Sequence, residues 1–249
     1  MSSSTSTVSG AIRRDGGAGT GRRGRTLSGL VIALGCVLFL GGFAWAAVVY
    51  RPYTVPTDSM KPTVSPGDKV LAQHISGDQV RRGDVVVFQD KLWGDMPEVK
   101  RVVGVGGDVV SCCDKQGRLL VNGKPVTEDY LAARGPASLE AFRSTVPQGK
   151  IFLLGDNRNV SQDSRVHLED AQQGAVPADD VKARVAATAW PAGRMGMLPR
   201  TSAFDGLPGG DGQSSPGPLE WLVYAVIVGA VLILGGAAYE PLAKLARRR

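Results

Sequence analysis

Two long apolar stretches, Leu27 to Tyr50 and Trp221 to Tyr239, contain no charged residue and bracket the middle of the chain. As helices rising about 1.5 Å per residue, the first would cross a hydrocarbon layer about 30 Å thick and the second is just long enough. The basic residues lie outside them. Arg13, Arg14, Arg22, Arg23 and Arg25 precede the first stretch, opposed by Asp15, and Lys244, Arg247, Arg248 and Arg249 follow the second, opposed by Glu240. The positive-inside rule then predicts a plasma-membrane protein with both termini cytoplasmic and the middle segment extracytoplasmic. Trp45, Tyr50, Trp221 and Tyr239 stand where interfacial aromatic residues are expected. The net charge of +6 comes from the two ends, so it is no sign of a nucleic-acid partner.

Each stretch has a plainer reading. Ala44-Trp45-Ala46 offers a small-x-small site for cleavage of a signal peptide, but the apolar run is longer than the 7 to 15 residues or so of such a segment, which favours an uncleaved anchor. The second run resembles a buried core helix by length alone. The basic stop after it and the Gly-, Pro- and Ser-rich segment 205–218 before it favour a membrane span.

The expected organisation is a disordered tail over 1–26, an anchor over 27–50, an extracytoplasmic domain over 51–200, a flexible linker over 201–218, a second transmembrane helix over 219–239 and a basic tail over 240–249. Within the middle segment, short Val-, Ile- and Leu-rich runs bounded by Gly, Pro and Asp read as strands: Lys69 to Ile75, Asp84 to Asp90, Val99 to Val105, Asp108 to Cys112, Arg118 to Val121, Ile151 to Leu154 and Val181 to Trp190. Asn122-Gly123 is a two-residue hairpin signal. Ala137 to Arg143 and Leu168 to Gln173 are modest helix candidates. Gly104-Val105-Gly106-Gly107-Asp108 lacks the third glycine of a dinucleotide fingerprint and reads as a turn. The fold class is therefore mainly β: an antiparallel sheet or partial barrel with a smaller inserted β-region over about 109–150, flanked by one transmembrane helix at each end.

The three cysteines are too few for a disulfide framework. Cys36 is expected to pack within the first span, while Cys112 and Cys113 read equally as a vicinal disulfide or as two free thiols. There is no C-x-x-C and no H-E-x-x-H, so no metal and no cofactor is expected.

The chemistry-bearing feature is Thr57-Asp58-Ser59-Met60-Lys61-Pro62-Thr63-Val64-Ser65, close after the first span. A serine needs a base to become a nucleophile. The two histidines, His74 and His167, stand in no recognisable catalytic context. A lysine replaces histidine as base only where burial away from water favours the neutral amine. In a strand through Val99 to Val105, Lys100 shares a face with Val102 while Arg101 points to the other side, which lets the lysine enter an apolar site. The bland alternative is a solvent-facing lysine on an edge strand.

Five segments taken together decide between these. Ser59-Met60-Lys61-Pro62-Thr63, Pro66-Gly67-Asp68-Lys69-Val70, Arg82-Gly83-Asp84-Val85-Val86, Val99-Lys100-Arg101-Val102-Val103-Gly104 and Gly155-Asp156-Asn157-Arg158-Asn159-Val160-Ser161-Gln162-Asp163-Ser164-Arg165 closely resemble, in identity and order, the motifs of the type I signal peptidase family. The resemblance implies that Ser59 is the nucleophile and Lys100 the general base, and that the Ser161 hydroxyl orients the lysine amine. It further implies that Asp163 and Arg165 brace their loop, that Asp156 and Arg158 are structural, and that Arg101 is the basic neighbour of the lysine. The oxyanion hole would combine the Ser59 backbone N–H with the Thr57 hydroxyl, and Met60 would line a shallow pocket for a small substrate side chain.

The activity implied is removal of signal peptides from exported preproteins at small-x-small sites by a Ser/Lys dyad, beside the lipid and the secretion translocon. A Ser/Lys endopeptidase serving a narrow client such as a pilin, and a silent membrane protein that binds exported chains, are the alternatives. The intact Ser59, Lys100 and Ser161 disfavour the silent one.

Overall fold

The structure, a computed structural model, describes residues 19–207 and 217–246, with side chains over 26–207 and 217–239. It divides into two units, a pair of helices and a β-unit running from Trp45 to Glu220.

The helices are α1, Gly19–Val49, and α2, Leu219–Ala246. Both contain a stretch long and apolar enough to cross a membrane, Thr26–Val49 and Leu219–Tyr239. Their glycines let the two backbones approach. A Cβ at Gly35 would lie 2.9 Å from the carbonyl of Gly229, and one at Gly229 would lie 2.6 Å from the backbone nitrogen of Phe39. The Ser28 hydroxyl donates to the Gly236 carbonyl at 2.8 Å. Small residues at such a contact bring helices close where lipid offers no hydrophobic drive. Leu27, Leu34, Phe43, Ile227 and Leu234 stay exposed on these helices, as a lipid-facing surface requires.

Several boundaries differ from expectation. The helix starts eight residues before Leu27, so the expected tail 1–26 is helical over 19–26, and 1–18 lies outside the described residues. Alternating Gly and Arg hid this start, since helix nucleation there rests on the apolar run that follows. Likewise α2 continues through the expected basic tail as far as Ala246, and 247–249 lies outside. Of the expected linker, 208–216 lies outside, while Phe204 within it is buried in one cluster with Val103 and Phe152.

Among its described residues the β-unit holds twelve strands: β1 (Tyr50–Thr54), β2 (Lys69–His74), β3 (Val85–Phe88), β4 (Glu98–Val105), β5 (Val109–Cys112), β6 (Leu119–Val121), β7 (Lys124–Pro125), β8 (Phe142–Thr145), β9 (Lys150–Leu154), β10 (Ala175–Pro177), β11 (Val181–Trp190) and β12 (Gly196–Met197). The main sheet is antiparallel in the order β1-β2-β11-β3-β4-β9-β10, with β12 on β11. Its central strand β3, Val-Val-Val-Phe, is buried at every position because neighbours cover both its faces. The second sheet, β7-β6-β5-β8, is the expected insertion, entered from β4 and left into β9. Asn122 and Gly123 turn its hairpin, both with positive φ (54° and 75°), as that two-residue turn demands. Pro125 lies in the edge strand β7, where a missing N–H is harmless.

The two modest helix candidates are corrected. Phe142 and Arg143 belong to β8, and 168–173 is a run of turns. Six or seven residues are too few to offset helix nucleation without a packed face. Of the segment 104–108, Gly104 and Val105 end β4 and 106–107 form the turn toward β5, with Gly107 at φ 93°. The sulfurs of Cys112 and Cys113 are joined in a vicinal disulfide. Among the described residues no group of His, Cys, Asp and Glu has a metal-binding arrangement.

Candidate active site

Ser59 stands on the loop between β1 and β2, and that loop is closed at its neck. Val55 N–H donates to the Asp68 carbonyl and Gly67 N–H to the Val55 carbonyl, both at 2.9 Å. Inside it, Lys61 N–H reaches Asp58 O at 3.2 Å and Val64 N–H reaches Met60 O at 3.1 Å, so the segment is bent and turned rather than extended. Val55, Met60 and Val64 anchor it from beneath, in one cluster with Val70, Val85 and Val99. Burying Met60 at 0% exposure contributes on the order of 1.5–3 kcal/mol. Met60, expected at the substrate pocket, is here a core residue that seats Ser59, because its side chain faces this cluster.

β4 supplies the two basic residues. Lys100 is registered against Val86, and Arg101 against Val85 and Leu154. Both are buried, at 3% and 2% exposure. Arg101 has a full set of partners: Nε and Nη2 hold the two Asp156 oxygens at 2.8 and 2.7 Å, and Nη1 donates to the Gly83 carbonyl at 2.8 Å. The Thr63 hydroxyl donates to Asp156 at 2.5 Å, and the guanidinium lies 4.0 Å over the ring of Tyr130. Burial pulls the Arg101 pKa down, but hydrogen bonding and the charge of Asp156 outweigh it and hold it above the ordinary arginine value. The pair is tolerable in the interior because the two charges meet bidentately and Gly83 and Thr63 add further hydrogen bonds.

The third element is the loop after β9. Gly155 N–H donates to Asp163 Oδ2 at 3.0 Å, and Arg165 grips the same carboxylate through Nε (2.8 Å) and Nη2 (2.9 Å). Arg165 also reaches the Arg158 carbonyl, and Arg158 Nε reaches the Gly155 carbonyl at 3.0 Å. Arg158 pairs with Glu128 of the inserted region, which accepts from the Tyr130 hydroxyl at 2.6 Å. Burial, then the charge of Glu128, pushes the Tyr130 hydroxyl pKa well above the usual tyrosine value. Sequence reasoning singled out neither Glu128 nor Tyr130, since nothing in their local pattern signals a partner thirty residues away.

The loops meet at Ser59. The Thr57 and Ser59 hydroxyls are 3.1 Å apart, and Asn157 N–H donates to the Ser59 carbonyl at 2.9 Å. A Cβ on Gly155 would lie 2.2 Å from Ser161 Oγ and 2.6 Å from Ser59 O, so the nucleophile candidate and Ser161 close on the same glycine. Thus Thr57 lies beside Ser59 and Asp163 pairs with Arg165, while the Arg101–Asp156 pair joins two motifs that the resemblance did not pair. Lys100 is the exception. Its Nζ donates to Glu98 Oε2 at 2.7 Å, while Ser161 Oγ is buried with no hydrogen-bond partner. Glu98 was missed, although two positions along a strand put it on the face of Lys100. The histidines are engaged elsewhere: His74 on the Lys182 carbonyl, His167 on Asp170 and stacked on Trp93. A cleft lined by Val80, Gly106, Ile151 and Phe204 includes none of Ser59, Lys100 or Ser161.

Residues 25–190 match the family model described as signal peptidase, peptidase S26. A probable signal peptidase I of Mycobacterium leprae is 31% identical over 237 residues, covering 71% of this chain and 79% of that protein. Signal peptidase I of Leptolyngbya laminosa is 33% identical over 176 residues, covering 67% and 80%. Among solved structures, a signal peptidase I from Enterococcus faecalis V583 is 30% identical, covering 42% of this chain and 95% of that one, with a TM-score of 0.35.

Proposed function

The chain belongs to the signal peptidase family of S26 peptidases, and from that membership we propose that it is a membrane-anchored serine endopeptidase removing signal peptides from exported preproteins through Ser59 and Lys100. The observation that supports this reading best is the convergence of the Ser59 carbonyl and the Ser161 hydroxyl on Gly155, within a loop held by Asp163 and Arg165.

In the proposed reaction the Lys100 amine takes the proton of the Ser59 hydroxyl as Oγ bonds to the scissile carbonyl. The electrons of the carbonyl π bond move onto its oxygen, which the Ser59 N–H and the Thr57 hydroxyl stabilise. The proton passes to the leaving amine, and a water activated by the same lysine hydrolyses the acyl-enzyme. Substrate lies as an extended strand, its backbone hydrogen-bonded and its small side chains selecting the site. The orientation is that of the positive-inside rule, with the β-unit extracytoplasmic, beside lipid and the translocon.

Ser59→Ala, Lys100→Ala and the double variant, assayed on a preprotein, should fall to one common floor, because either change removes the same step. Lys100→Arg should not rescue, since arginine keeps its proton. Substantial cleavage by Lys100→Ala, or dependence on His167, overturns the dyad.

A further inference from the structure

Resting on the reading above, we propose that Glu98 is a positioning residue: it holds Lys100 in an ion pair that must open before the amine can reach Ser161 and take the Ser59 proton. The lysine amine has a carboxylate partner, whereas the Ser161 hydroxyl has none. The amine sits 2.7 Å from Glu98 Oε2, with the lysine side chain 4% exposed and the glutamate 29% exposed. The Ser161 hydroxyl, beside the Ser59 carbonyl at Gly155, is buried and lacks any hydrogen-bond partner. A buried hydroxyl without a partner is the kind of group that an incoming donor satisfies.

The other charged groups around Lys100 do not take this role. On β4 itself Arg101 is held by Asp156, and the adjacent β3 carries no charge. On β9, Lys150 donates to Gln172. On the loop after β9, Asp163 is held by Arg165 and Arg158 by Glu128. Asp58 and Lys61 on the Ser59 loop face solvent. Glu98 is therefore the carboxylate in contact with the amine. A facing negative charge favours the protonated amine, so Glu98 opposes the proton transfer that Ser59 requires and raises the pH at which cleavage begins.

The test is the pH profile of kcat/KM for cleavage of a peptide with a small-x-small site, using the full chain in detergent micelles. Glu98→Gln keeps the shape and removes the charge. Its acid limb should move to lower pH by about one unit, making it about tenfold faster than wild type at the foot of the limb. Glu98→Asp keeps the charge and should hold the limb near the wild-type position. Glu98→Thr, a good strand former, should move the limb as Glu98→Gln does and replaces that variant if it does not fold. A limb in Glu98→Gln or Glu98→Thr that coincides with wild type, with or without a uniform loss of rate, overturns the proposal. Ser59→Ala runs beside them: if it retains activity the Ser/Lys reading itself fails, whereas an inactive Ser59→Ala with unmoved limbs sinks the Glu98 role alone.

Discussion

The backbone N–H of Asn157 donates to the carbonyl of Ser59 at 2.9 Å. The Asn157 side chain adds a second bond, to the Asp58 carbonyl at 3.2 Å. The loop carrying the nucleophile candidate is thereby laid against the loop carrying Ser161, and Gly155 is the point where no side chain fits between them.

Gly155→Ala should abolish most of the cleavage. The added methyl would lie 2.2 Å from Ser161 Oγ and 2.5 Å from Ser161 Cβ, and neither is the free end of a long side chain. One loop must shift, at about 1–3 kcal/mol of stability by the usual size of overpacking. Gly135→Ala, which meets nothing within 4 Å, is the control and should behave as wild type in both assay and melting curve. A Gly155→Ala protein with normal turnover would mean that the loops separate without effect on the chemistry.

The Arg101–Asp156 pair should matter more to stability than any exposed pair. Asp156→Asn leaves a guanidinium buried at 2% exposure against a neutral amide, for a loss of about 3–5 kcal/mol in a denaturation experiment. Adding Arg101→Met should recover part of that loss, since the uncompensated charge is then gone. Strict additivity of the two changes would show that the residues do not interact.

The Thr57 hydroxyl, 3.1 Å from that of Ser59, is the proposed side-chain donor to the oxyanion. Thr57→Val should lower kcat by about 10² to 10³, or 2.7–4 kcal/mol, with little change in KM, because the charge it meets exists only in the transition state. Thr57→Ser should restore most of the rate. If Thr57→Val cleaves preproteins within about threefold of wild type, well under the loss expected for a donor, Thr57 is a packing residue and another group acts with the Ser59 N–H.

Legibility followed the range of the forces. The two spans, the strand through Val99 to Val105 and the Asn122-Gly123 hairpin were readable because period, charge and turn preference act between neighbours. Residues within one motif also kept their pairing: Asp163 and Arg165 meet as the family resemblance implies. The short candidates at 137–143 and 168–173 were misread because weak local helix preference yields to sheet pairing and to turns.

By itself, then, the amino-acid order determined the two apolar spans, the mainly β character of the segment between them and the set of candidate residues for the chemistry. Tertiary structure alone decided the partners of that set. Met60 went into the core under Ser59, Glu128 and Tyr130 came from the inserted region to complete the arginine network, and Lys100 met Glu98 while Ser161 was left without a partner. The physical reason is that burial and hydrogen bonding act through space over a few ångströms, and which atoms come within that reach depends on how strands far apart in sequence are laid side by side.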